Sequence, residues 1–115
     1  DKRMKNTLQA ISNHKFANIL SDIGEVDITH NINFELFKKF TKSIGGLENN
    51  LTTQKKFLIK LGISNRAETI ARKETFLKKA DIFYRLKRLI DDNQMGSLFK
   101  VMLIKNKNNK FKLGF

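Results

Sequence analysis

The sequence predicts an α+β fold of one small domain, mostly helical and ending in an antiparallel strand pair. Three observations carry that reading. Apolar side chains recur at helical spacing between capping residues and glycines over about 34–44, 53–61, 64–74 and 75–91. Alternation over about 98–104 reads as a strand, and 110–115 can return beside it as an antiparallel edge strand. The length of 115 residues suits a single domain, and folding at this size buries roughly 65% of the unfolded surface, a workable but thin core.

Residues 6–20 mix apolar positions (Leu8, Ile11, Phe16, Ile19) with polar ones and read as a short strand leading into a loop or turn. Ser21-Asp22-Ile23-Gly24 signals a turn, and 26–32 suits extended backbone. Asn33 is placed to cap a helix with Phe34, Phe37, Phe40 and Ile44 on one stripe and Lys38, Lys39 and Lys42 opposite, closed by Gly45-Gly46. A loop at 48–52 follows. Thr53 then caps a helix whose Gln54, Phe57, Leu58 and Leu61 share a face against Lys55, Lys56 and Lys60. Gly62 ends it through a left-handed residue, and Ser64 is expected to cap the next helix, whose inward set is Ile63, Ala67, Ile70 and Ala71. The longest helix follows, with Phe76, Leu77, Ala80, Ile82, Phe83, Leu86, Leu89 and Ile90. That set is wider than one surface stripe, so the helix expects neighbours on two sides. Asp91-Asp92-Asn93 and 106–109 are turns. Lysines on the final edge strand would discourage edge-to-edge association.

Composition narrows the class. Lys plus Arg number 23 against 11 acids, a formal charge of +12, which suits an anionic partner such as nucleic acid or an acidic membrane face. Codon bias explains it more simply: 18 Lys, 12 Asn, 12 Ile and 10 Phe, with neither Pro nor Trp, are what an A/T-rich genome produces. Lys also outnumbers Arg 18 to 5, the reverse of a surface selected for bidentate phosphate contacts. With no cysteine there is no disulfide framework, thiolate nucleophile or Cys-based zinc site. A zinc site from His14 and His30 alone lacks the ligand spacing. No apolar run approaches the ~20 residues of a membrane span, and no secretory signal is recognisable, so a cytoplasmic location is expected. A start at Asp1 suggests a chain that begins inside a longer reading frame.

The spelling is more informative than the pattern. The segments Thr7-Leu8-Gln9-Ala10-Ile11 with His14-Lys15-Phe16, and Gly24-Glu25-Val26-Asp27-Ile28-Thr29 with Ile32 and Phe34, occur in order. They are followed by 53–67 (T-Q-x-x-F-L-x-x-L-G-I-x-x-R-A) and by Gln94-Met95-Gly96-Ser97-Leu98-Phe99-Lys100-Val101, with Gly114-Phe115 closing the chain. Together these four ordered blocks resemble the MidA-like methyltransferase family, which includes the mitochondrial complex I assembly protein-arginine methyltransferase. The resemblance implies a class I S-adenosylmethionine-dependent methyltransferase fold of which this chain looks like the C-terminal part. The family's Gly-rich cofactor loop has no counterpart here, since Gly45-Gly46 follows a helix rather than a strand. S-adenosylmethionine is therefore implied for the complete enzyme and not for this chain alone. Departures occur within the blocks: Ser12 stands for a common Arg, Asn18-Ile19 for Asp-Pro, 30–33 for A-H-V-D, and Lys55 for the Gly after T-Q.

Methyl transfer to a guanidinium needs carboxylates to orient it and a base to take its proton. In the matched blocks the resemblance implies His14 and Asp27 as catalytic candidates and Glu25 and Gln54 as substrate-binding ones, with no cofactor or metal ligand assigned. Each also has a plainer use: His14 as a loop histidine bonded to backbone, Asp27 as a turn cap, Gln54 as a first-turn polar residue, and Lys100 as a snorkelling strand lysine. Implied partners are the N-terminal half of the same enzyme and a respiratory complex I subunit as protein substrate, the latter placing a eukaryotic member in the mitochondrial matrix. The rival is a small basic nucleic-acid-binding module using the Lys38/Lys39/Lys42 and Lys55/Lys56/Lys60 faces, disfavoured because most aromatic side chains lie on core faces. A structural scaffold for a respiratory-complex subunit is a third reading.

Overall fold

The computed structural model describes residues 7–13, 15–20 and 24–115. The chain clusters into two compact units, Asp1–Phe37 and Lys38–Phe115. In the first, β1 (Gln9–Ser12), β2 (Lys15–Ala17) and β3 (Asp27–Thr29) form an antiparallel sheet in the order β2-β1-β3. Ala10 pairs with Ala17 on one side and Ile28 on the other, and it is buried. Asn13 leaves β1 with φ +50, a left-handed conformation that Asn tolerates better than most residues. The short strand expected in 6–20 is thus one arm of a hairpin.

Asn33 does cap helix α1 (Phe34–Ser43), its Oδ1 accepting from the Leu36 amide at 3.1 Å. In the second unit β4 (Leu47–Thr53) pairs antiparallel with β5 (Lys100–Asn106) from Leu47↔Asn106 to Thr53↔Lys100. The C-terminal strand therefore exists, but its partner is not 110–115. It pairs instead with the segment read as the 48–52 loop. Asn49 and Asn50 are poor strand formers in isolation, yet seven cross-strand pairs override that preference. Asn49 also ties β4 to α1, its amide nitrogen donating to the Lys38 carbonyl at 3.2 Å and to the Thr41 hydroxyl. Glu48 faces Lys105 across the ladder and bonds it at 2.8 Å, while the buried ammonium also donates to the Asn109 carbonyl at 2.8 Å.

Helices α2 (Gln54–Lys60), α3 (Ile63–Ala71) and α4 (Phe76–Ile90) lie within a residue or a few of their expected bounds. Thr53 caps α2 by accepting from the Lys56 amide, and Gly62 ends it at φ +81. That same glycine is the N-cap of α3, so Ser64 falls inside the helix and does not cap it. A one-turn helix, α5 (Met95–Leu98), takes the first residue assigned to the last strand. Ala67 and Ala71 of α3 are buried, and together with Ala10 they are the buried apolar residues among those described. Small side chains there let α3 and α4 approach closely, while Phe76, Leu77 and many other large apolar groups stay exposed. No helix among the described residues is long and apolar enough to cross a membrane.

Candidate functional site

Of the four residues singled out by sequence, Glu25 and Asp27 are close neighbours in the first unit. Glu25 stands in the turn before β3, and Asp27 opens that strand opposite Ile11; both are exposed. Two carboxylates so placed can receive a cationic side chain from solvent. His14 lies outside the described residues. Gln54 belongs to the second unit, where the fold uses it. Its backbone amide donates to the Phe99 carbonyl at 2.9 Å and its side-chain nitrogen to the Leu89 carbonyl at 2.9 Å. It therefore ties the start of α2 to the end of α4 and to the residue just before β5.

The polar cluster that sequence reasoning missed surrounds Asp92. Lys55 Nζ reaches Asp92 Oδ2 at 2.5 Å, and Ser97 Oγ donates to Asp92 Oδ1 at 2.7 Å. Lys100 Nζ donates to the Ser97 carbonyl at 2.5 Å, and Asp91 Oδ1 accepts from the Asn93 amide at 2.8 Å. A lysine at 55, where the resemblance leads one to expect glycine, was the available signal. Two open grooves meet at this ion pair. One, of about 420 Å³, is floored by Phe83, Leu86 and Ile90; the other, of about 450 Å³, lies along Thr53, Lys56, Ile59 and Lys60. Lys55 is thereby drawn out of the basic face proposed for nucleic acid, which leaves Lys56 and Lys60 on it.

Hydrogen bonds from Lys55 and then Ser97 hold the Asp92 carboxyl below its ordinary pKa, and the bond from Lys105 does the same for Glu48. A carboxyl with a depressed folded-state pKa adds stability above its unfolded pKa, and that stability is lost as pH falls through the folded value. The melting temperature should therefore drop on acidification below the ordinary Glu value of 4.5 for the Glu48 pair and below the ordinary Asp value of 3.8 for the Asp92 pair. In the Asp92→Asn, Glu48→Gln double variant this drop should be shallower. An equal drop in both proteins, followed by circular dichroism, would remove these pairs from the account.

The one hydroxyl–carboxylate pair described in the grooves is Ser97 with Asp92, whose carboxylate Lys55 also engages, and no group of three or more His, Cys, Asp or Glu among the described residues is placed to hold a metal. S-adenosylmethionine fits poorly here. Asp92, the carboxylate that lines both grooves, is engaged by Lys55 and Ser97, and among the described residues no glycine-rich turn presents backbone amides there.

Comparison with known proteins adds two findings. Residues 1–53 match the family model described as "Putative S-adenosyl-L-methionine-dependent methyltransferase". Two solved structures from Burkholderia thailandensis share the fold, each with a TM-score of 0.74 over 98% of this chain. One, at 24% identity, is an uncharacterized protein; the other, at 23%, belongs to the same superfamily, is described as a "likely methyl transferase" and is bound to S-adenosyl-homocysteine. The chain spans about 30% of the length of these proteins.

Proposed function

We propose that this chain is the C-terminal part of an S-adenosylmethionine-dependent methyltransferase, acting on protein arginine, and that it is inactive alone or completes an N-terminal part supplied separately. The observation that carries the reading is a disproportion. Nearly all of this chain superposes on less than a third of a fold that holds S-adenosyl-homocysteine, while its own grooves suit that ligand poorly. The matched family model over residues 1–53 supports methyl transfer, and Glu25 and Asp27 are the candidates for orienting a guanidinium. Within the complete enzyme Asp27 and His14 would be the catalytic candidates, and Glu25 would help bind the cationic substrate. Gln54 would contribute indirectly, by fixing α2 to α4.

Calorimetric titration of the full chain with S-adenosylmethionine is expected to give no heat of binding. Micromolar affinity for the cofactor by this chain alone would overturn the reading, because it would mean a self-sufficient site.

A further inference from the structure

Helix α4 has two apolar faces, and its own unit covers one of them. Ile82, Leu86, Leu89 and Ile90 are half-buried where α2, α3 and α5 pack on the helix. Phe76, Leu77 and Tyr84 are 83%, 79% and 61% exposed. With 3.6 residues per turn they lie within about 100° of one another around the helix, and the half-exposed Phe83, which also lines the first groove, marks the border with the covered face. Large apolar groups aligned in this way mark an interface, unlike the scattered exposure normal for a monomer. The charges on the helix indicate what kind of surface it meets. Lys78 pairs with Glu74 and Arg85 with Asp81, which leaves Lys79, Lys87 and Arg88 as the excess positive charge of the helix, in a chain of net charge +12. Packing this stripe on a second copy would set like charges together.

We propose that the Phe76–Leu77–Tyr84 stripe is the docking face for the remaining part of the methyltransferase, on a surface apolar at its centre and acidic at its rim. The inference rests on the reading above and adds where the two parts meet. In the two solved proteins with this fold most of the length lies beyond the shared segment, and the corresponding part of this enzyme would be large enough to cover the stripe.

The test compares the full chain alone with the full chain spliced in place of its counterpart in the Burkholderia thailandensis protein that binds S-adenosyl-homocysteine. The Phe76→Ser, Leu77→Ser, Tyr84→Ser variant is expected to shift the melting temperature of the chain alone by less than about 2 °C, and to lower that of the chimera by about 5 °C or more. The parent chimera is expected to bind S-adenosyl-homocysteine by calorimetry. A chimera that binds the ligand but is indifferent to the triple substitution overturns the docking face and leaves the methyltransferase reading standing. A folded chimera without ligand binding overturns that reading, and a chimera that fails to fold counts against both. If the chain alone sediments as a dimer and the triple variant as a monomer, a second copy covers the stripe and the proposal is wrong.

Discussion

Gly96→Ala is expected to cost the second unit about 3 kcal/mol or more, which a urea melt of the full chain would register as a marked fall in midpoint. Gly96 is buried, and its amide donates to the Asp91 carbonyl at 2.9 Å. A Cβ added there would lie 2.7 Å from that same oxygen and closer still to the Ile90 carbonyl. Both obstacles are backbone, so no side chain can swing aside. Relief would require unwinding the end of α4, where the Asp91 amide closes the last turn on Lys87 and the neighbouring Leu89 carbonyl accepts from Gln54. A unit of this size holds roughly 4–12 kcal/mol in total, so such a loss consumes much of it. Gly45→Ala is the control. A Cβ there meets nothing within 4 Å, and its effect should stay within about 0.5 kcal/mol. Equal effects at the two positions would mean that α5 does not press on the end of α4 as described.

The helices were legible because their signals are local. Asn33 and Thr53 carry cap oxygens three residues ahead of the amides they satisfy, and Gly62 stops a helix by adopting a φ that other residues avoid. Ser64 misled because the left-handed Gly62 serves both helices, and a cap read from residue type alone cannot register that sharing. Strand β4 was hidden for the opposite reason. Thr52 and Thr53 favour extension weakly, but Asn49-Asn50 in the middle of Leu47–Thr53 reads as a loop until β5, more than forty residues away, pairs with it. The late start of β5 follows from α5, since Met95–Leu98 spend their backbone in a helical turn before the strand begins.

The candidate site was legible only where chemistry could be read from neighbours in sequence. Glu25 and Asp27 are two apart in sequence, one in the turn before β3 and one opening that strand, and each is exposed. The Lys55–Asp92 pair joins residues 37 positions apart, and Asp92 within Asp91-Asp92-Asn93 has the composition of any turn. Gln54 shows how a family-matched residue can serve architecture: the carbonyl it reaches belongs to a helix end that its own segment does not reveal.

Gly114→Ala should cost about 3 kcal/mol, the sum of left-handed strain and a displaced aromatic ring. Gly114 sits at φ +81, and a Cβ added there would lie 2.5 Å from Phe57 Cδ2. The ring cannot retreat freely, because its other contact is an edge-on packing with Phe115, centroids 5.5 Å apart and planes at 61°. Phe115 is itself held by its amide donating to the Lys112 carbonyl at 2.9 Å. The last two residues therefore act on α2 through one ring, and a double-mutant cycle separates the two costs. In a Phe57→Leu background the smaller side chain leaves room for the methyl, so Gly114→Ala should then cost only about 1 kcal/mol, the strain of φ alone. The difference, about 2 kcal/mol, is the coupling between the chain end and α2. An unchanged cost in both backgrounds would assign the whole effect to backbone strain, and the Gly114–Phe57 contact would then contribute nothing to holding the C-terminus in place.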